Sequence, residues 1–131
     1  MKIFKIILRI LLGIMLIMPV IGAFGLMPEP TSDMYNSEAA YAFIMALMST
    51  KYIMYMMASV FLFALVLTVL GRMAAVALLL LPITLNIVAF HAVLDGGIFT
   101  AGAVMGDVLL LINLFFLWDN REVYKPLFDK R

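Results

Sequence analysis

The sequence contains no cysteine. A chain without thiols forms no disulfide bond, no thiolate metal site and no Cys-X-X-Cys redox centre, and it has no cysteine nucleophile. Any redox role of this protein must therefore depend on a bound cofactor or on a partner protein.

Charged residues are also scarce, at 13% of the 131 residues, and the formal net charge is only +1. The lysines and arginines lie at the ends of apolar segments and do not form the basic stripe typical of nucleic-acid-binding proteins, so we expect no nucleic-acid partner. The sequence has no nucleotide-binding loop, zinc motif, nucleophile elbow or pair of catalytic carboxylates. We therefore expect no catalytic residues and no self-contained enzyme.

Apolar residues make up 66% of the chain, and the mean hydropathy is +1.16. A chain this apolar cannot present an ordinary soluble surface, so the lipid bilayer is its expected surrounding. About twenty apolar residues suffice to cross a hydrocarbon core of about 30 Å. We predict an all-α, single-domain integral membrane four-helix bundle over 1–131, with spans at about 6–27, 52–70, 73–94 and 99–118.

A short helix is predicted between the first two spans. Ser37 or Asn36 can cap a helix that begins near Glu38, and its apolar residues recur at steps of three and four. About twelve residues cannot cross a bilayer. Because Lys51 and the neighbouring Tyr52 are typical of a membrane surface, we expect this helix to be interfacial or partly re-entrant.

The distribution of cations predicts the orientation of the chain. If the chain crosses the membrane four times, eight of its nine lysines and arginines share one side. They are Lys2, Lys5, Arg9, Arg72, Arg121, Lys125, Lys130 and Arg131, and only Lys51 lies opposite. Since cations near span ends are retained on the inner side, both termini are predicted to be cytoplasmic.

Polar groups inside spans are the first candidates for function, because an unsatisfied polar group is costly in hydrocarbon. Asn86 and Asp107 are predicted at similar heights in the third and fourth spans, where they could meet. Such a pair is either a helix-to-helix hydrogen bond or a site for protons or a ligand. Thr84 and His91 share a helix face and are expected to give the interior a polar lining, with Asp95 as the local hydrogen-bond partner of His91.

Twelve methionines offer a further possibility, since thioether clusters can bind Cu(I). Methionine is also a flexible apolar filler, and its spacing here favours ordinary packing. Gly102, Ala103 and Gly106 of the fourth span allow close helix approach. These small residues suit either a homodimer seam or packing within one chain.

The third span contains Pro-Ile, Asn-Ile, Phe-His and Leu-Asp pairs in that order, formed by Pro82, Ile83, Asn86, Ile87, Phe90, His91, Leu94 and Asp95. This pattern resembles that of the DoxX-like family of small four-helix membrane proteins. The opening Arg9 to Gly13, the Gly71-Arg72 hairpin and the closing segment from Arg121 to Phe128 are similar to family features as well.

The resemblance implies a bacterial inner-membrane protein, and some DoxX-like relatives are associated with quinone-coupled sulfur oxidation or with oxidative-stress complexes. We expect an accessory or small-ligand-binding subunit near redox or respiratory enzymes, with membrane or redox proteins as partners. The alternatives are a quinone-linked oxidoreductase subunit that uses Asn86 and His91, or a small proton-coupled transporter that uses Asp107. Where many relatives have an acidic residue in the second span, this sequence has Phe61.

Overall fold

The computed structural model describes residues 1–129, and this part of the chain is all-α, as predicted. It contains six α-helices and one short 3-10 helix at Ser32–Met34. The α-helices are α1 Lys2–Ala23, α2 Glu38–Thr50, α3 Tyr52–Val69, α4 Met73–Val93, α5 Val104–Asp119 and α6 Arg121–Phe128.

Three of these helices, α1, α3 and α4, are long and apolar enough to cross a membrane. The predicted bounds of the second and third spans, 52–70 and 73–94, agree with α3 and α4 to within one residue. The predicted first span was placed too far along the chain. Gly25 takes a left-handed φ of 72° just beyond α1, and the backbone N–H groups of Gly25 and Leu26 bond back to the last turn, which ends the helix at Ala23.

The fourth predicted span, 99–118, is wrong at its start. Gly96 and Gly97 have φ values of 83° and 112°, and turns continue from there to the start of α5 at Val104. The Thr100 hydroxyl donates to the Gly97 carbonyl, and the Ala103 N–H donates to the Thr100 carbonyl. The 16 residues of α5 measure about 24 Å, which is less than the thickness of a hydrocarbon core of about 30 Å.

The short helix α2 begins where the capping pattern predicts. The Ser37 hydroxyl accepts a hydrogen bond from the Ala40 N–H at 3.0 Å, which satisfies one of the free donors of the first turn. Lys51 separates α2 from α3 with a φ of 61°, an uncommon conformation for a residue with a side chain. The chain therefore changes direction between the two helices.

The long helices pack as two pairs, α1 with α3 and α4 with α5, and the α3–α4 hairpin joins the pairs. At the hairpin, Gly71 adopts a φ of 75°. The core between the pairs is apolar and includes Leu12 and Leu16 of α1, Phe61 of α3, Leu80 of α4 and Ile112 of α5. Contacts between α1 and α5 are fewer, so the two pairs are less closely joined on that side.

One end of the bundle is held together by polar contacts. Lys5 of α1 forms an ion pair with Asp119 of α5 at 2.6 Å, and the Tyr124 hydroxyl of α6 donates to the Ala74 carbonyl of α4 at 2.8 Å. The Arg9 Nε donates to the Thr68 carbonyl of α3 at 2.6 Å. The opposite end of the bundle contains the turn from Leu94 to Ala103 and the loop that precedes α2.

Candidate functional site: a histidine at the rim of a methionine-lined cavity

A buried carboxylate, Asp95, lies at the centre of a polar cluster at the end of the bundle that contains the turn from Leu94 to Ala103. Only 1% of Asp95 is exposed. Its Oδ1 accepts hydrogen bonds from the Asn36 backbone N–H at 2.7 Å and from the Asn36 Nδ2 at 3.4 Å. Its Oδ2 lies 2.8 Å from the His91 Nδ1. Asp95 therefore joins the loop before α2 to the last turn of α4.

Further hydrogen bonds hold the same loop in place. The Asn36 Nδ2 also donates to the Asp95 backbone carbonyl at 3.1 Å, and the Ser37 hydroxyl donates to the Leu94 carbonyl. The sequence pattern identified Asn36 and Ser37 only as possible helix caps. The contact of Asn36 with Asp95 spans 59 residues of sequence and that of Ser37 with Leu94 spans 57, so neither has a local signal and sequence reasoning missed both.

Aromatic rings cover this polar cluster. Tyr35 meets Phe90 edge to face with ring centres 6.4 Å apart, and Phe43 of α2 stacks on Phe90 at 5.7 Å. Burial raises the pKa of the Tyr35 hydroxyl above its usual range, and the nearby charge of Asp95 raises it further. The phenol therefore stays neutral across the physiological pH range.

The predicted partnership of His91 with Asp95 is confirmed. Because an ionised carboxylate can only accept, the hydrogen bond at Nδ1 keeps a proton on that nitrogen, so in the neutral imidazole Nε2 carries the free lone pair. The carbons on either side of Nε2 face Gly102, in the turn before α5, and Gly106 of α5. A Cβ placed on Gly102 would lie 3.7 Å from His91 Cε1, and one placed on Gly106 would lie 3.8 Å from Cδ2.

The Nε2 atom of His91 has no hydrogen-bond partner among residues 1–129. It is also not fully enclosed by protein, because the one enclosed side-chain nitrogen or oxygen without a partner in that part of the chain is Asn113 Oδ1. His91 itself is half-buried and lines a cavity. The free nitrogen is therefore available to a molecule in that cavity.

The cavity has a volume of about 440 Å³ and lies where the α1–α3 and α4–α5 pairs are less closely packed. His91 is its one titratable lining residue. Six of the twelve methionines line it, from three helices and the loop after α1. The lining residues are Met15, Met18, Pro19, Gly22, Met27, Met54, Met57, Ala58, Phe61, Ile87, His91, Gly102, Met105, Gly106 and Leu109.

Thr84 lies deeper between α4 and α5 and does not line the cavity. It is fully buried, and its hydroxyl accepts a hydrogen bond from the Asn113 Nδ2 at 3.3 Å. Asn113 is also buried, and its Oδ1 is left without a partner. This contact is the polar link between the last two long helices, and sequence reasoning overlooked Asn113 as its partner.

The predicted hydrogen bond between Asn86 and Asp107 does not form among residues 1–129. Asn86 is exposed, whereas Asp107 is half-buried and lies outside the cavity lining. The reason is helix phase. Asn86 lies about 200° around α4 from the buried Thr84, so the two residues point to opposite sides even though the predicted heights of Asn86 and Asp107 matched.

Of the three small residues predicted at this seam, Ala103 (just before α5) and Gly106 (in α5) are used for packing within the chain, whereas Gly102 is exposed. Ala103 and Gly106 are buried, and a Cβ added to Gly106 would lie only 2.6 Å from Cγ2 of Ile87 in α4. Phe61, at the position where the resemblance places an acidic residue, is 1% exposed and lines the cavity. No cluster of three or more His, Asp or Glu residues suited to a metal ion occurs within residues 1–129.

Comparison with protein-family models, curated proteins and solved structures finds no match to this chain. The resemblance to the DoxX-like family remains a prediction from sequence. The functional argument therefore depends on the geometry of the cavity.

Proposed function

We propose that this chain is a membrane-embedded ligand-binding subunit whose cavity takes a lipophilic molecule with a polar ring, best represented by a quinone or its quinol. The observation that supports this proposal most directly is the free Nε2 of His91 at the rim of an apolar cavity. Under the DoxX-like resemblance, the subunit works beside a redox or respiratory enzyme of a bacterial inner membrane.

The size and lining of the cavity suit such a ligand. Small-molecule pockets typically enclose about 300 to 1,000 Å³ and combine apolar walls with a few polar groups, and this cavity of about 440 Å³ has that character. Methionine side chains are flexible and polarizable, so they adapt to a ring and its substituents. Neutral His91 can accept a hydrogen bond from a quinol hydroxyl, and protonated His91 can donate one to a quinone carbonyl.

The chain itself provides no thiol or cluster of metal-ligating residues among residues 1–129. In this proposal it therefore binds and orients the ligand, and a partner protein exchanges electrons with it. Proton-coupled transport has less support, because Asp107 does not line the cavity. We further propose that α5 with its flanking turns provides a fourth crossing and that both termini are cytoplasmic, as the cation distribution favours.

The test is a binding titration of the purified protein in lipid nanodiscs with a short-chain ubiquinone and its quinol, compared between wild type and His91→Ala. Loss of one hydrogen bond of about 1 kcal/mol should weaken binding about fivefold. Asn86→Ala is the matched control, because Asn86 is an exposed polar residue of the same helix outside the cavity lining. It should bind like wild type.

Two results would overturn the proposal in different ways. If wild type binds neither form of the ligand, the cavity is not a quinone site. If wild type and His91→Ala bind equally well, the ligand does not depend on His91. A folded His91→Gln protein with normal binding would show that a titratable imidazole is not required.

A further inference from the structure

A second groove lies near the other end of α1, between α1 and α3. It has a volume of about 350 Å³, with walls from Ile6, Ile10 and Gly13 of α1 and from Leu65, Thr68 and Val69 of α3. Arg9 is the one charged residue that lines it. Because Ile6, Ile10 and Val69 are more than half exposed, the groove opens on the outer surface of the helix pair.

The Arg9 guanidinium is held rigidly at this groove. Its Nε donates to the Thr68 carbonyl at 2.6 Å, and its Nη2 donates to the Val69 carbonyl. These carbonyls belong to the last turn of α3, where the helix dipole favours a cation. The side chain is therefore fixed by the fold before any ligand arrives.

The charge of Arg9 is not neutralised by a carboxylate in the described part of the chain. The cations of the salt bridges there are Lys5, Arg121 and Lys125. The Nη1 of Arg9 makes no hydrogen bond to residues 1–129 and lies 3.3 Å from the Cβ position of Gly71, at the exposed hairpin. Donors and positive charge therefore remain free where the groove meets the rim of the bundle.

Arg9 and Arg72 place positive charge near the end of the bundle that the Lys5–Asp119 ion pair marks. Arg9 lies four residues along α1 from Lys5, about 6 Å further into the bundle, and Lys5 marks the rim through its ion pair with Asp119. Arg72, exposed and without an ion pair among residues 1–129, adds a second cation at the same rim. An apolar groove below a cationic rim is complementary to a lipid chain below an anionic headgroup.

We propose that this groove binds one anionic phospholipid, with its phosphate on the free donors of Arg9 and one acyl chain along Gly13. Guanidinium groups form directed hydrogen bonds to phosphate oxygens, and the net charge of the headgroup decides between lipids that share a phosphate. This inference does not depend on the His91 cavity, which lies at the other end of the bundle.

The experiment measures lipid binding to the detergent-purified protein by native mass spectrometry, with phosphatidylglycerol and phosphatidylcholine of identical acyl chains. We expect phosphatidylglycerol to bind at least about fivefold more tightly, the effect of about one basic residue at a membrane surface. Arg9→Gln should make the affinities for the two lipids equal. Arg9→Lys keeps the positive charge and should keep part of the preference for phosphatidylglycerol, and it provides the test if Arg9→Gln does not fold. Lys125→Gln, which removes a cation paired with Glu122 outside the groove, should keep all of it.

A groove-filling variant tests the acyl-chain half of the proposal. A Cβ on Gly13 would lie 3.7 Å from Leu65 Cδ1, an ordinary contact, so Gly13→Ala should leave the helix pair intact and Gly13→Ile should occupy the groove. Gly13→Ile should weaken both lipids. Equal wild-type affinities for the two lipids, unchanged binding by Gly13→Ile, or displacement of phosphatidylglycerol by inorganic phosphate alone would each overturn the proposal.

Discussion

Replacement of Asp95 should separate the structural role of the polar cluster from its effect on the cavity. Asp95→Ala removes the acceptor of the Asn36 N–H at 2.7 Å and of His91 Nδ1 at 2.8 Å. A buried donor that loses its acceptor costs about 1 to 3 kcal/mol. Because Asn36 lies in the loop before α2, we expect the loop to detach from α4 before the bundle itself unfolds.

The Asp95→Asn variant should keep the loop attached to α4 and move the ring proton of neutral His91 from Nδ1 to Nε2. Two donors of Asn36 face Oδ1, so the oxygen of the new amide should stay there and its NH₂ group should face His91. An NH₂ group donates, and Nδ1 must then accept, so the imidazole proton moves to Nε2. The cavity would then contain a donor where the neutral wild-type imidazole has an acceptor.

Two measurements test this reasoning. Hydrogen exchange at the Asn36 amide should be much faster in Asp95→Ala than in wild type and nearly unchanged in Asp95→Asn. The ¹⁵N chemical shifts of the His91 ring should report the exchange of tautomers in Asp95→Asn. Unchanged protection of the Asn36 amide in Asp95→Ala, or an unchanged tautomer in Asp95→Asn, would refute the reasoning.

Two further predictions concern the α4–α5 seam. Gly106→Ala should destabilise the protein by about 1 to 2 kcal/mol, because its Cβ would lie 2.6 Å from Cγ2 of Ile87 and overpacking costs about 1 to 3 kcal/mol. In a double-mutant cycle with Ile87→Ala, the cost of Gly106→Ala should be smaller than in the wild-type background. If the effects of the two substitutions on stability were strictly additive, the clash with Ile87 would be contradicted. Asn113→Leu should change stability by less than about 1 kcal/mol, because membrane hydrogen bonds average about 0.6 kcal/mol and the variant also removes an unpartnered oxygen. A loss above about 2 kcal/mol in reversible unfolding would show that Asn113 has other partners.

The start of α2, the helices α3 and α4 and one contact of the site could be predicted from the sequence because they depend on local spacing. Apolar runs located α3 and α4 to within a residue. The four-residue step from His91 to Asp95 predicted a hydrogen bond that the structure contains. The start of α5 was missed because turns continue through apolar Ile98 and Phe99, where hydropathy alone gives no sign of a break.

The remaining contacts depend on helix phase and on distant segments of the chain. Asn86 was paired with Asp107 by height alone, whereas the buried face of α4 passes through Thr84 and brings it to Asn113 of α5. Asn36 and Asp95 are 59 residues apart, and both lie in connections between helices, where polar residues are common and do not indicate a partner. Only the packing of the bundle determines which of these polar groups meet.

The positions of Phe61 and Asp95 together limit what the cavity can do. Phe61 fills a place in the cavity wall where the resemblance leads us to expect a carboxylate, so the wall itself has no acidic group. Asp95, the carboxylate behind His91, has its two oxygens occupied by Asn36 and His91 and is 1% exposed. If the proposed ligand exchanges a proton with the cavity wall, the exchange must use Nε2 of His91, because His91 is the one titratable residue that lines the cavity. That arrangement favours binding and a single proton exchange at one rim of the cavity over a continuous path through the bundle.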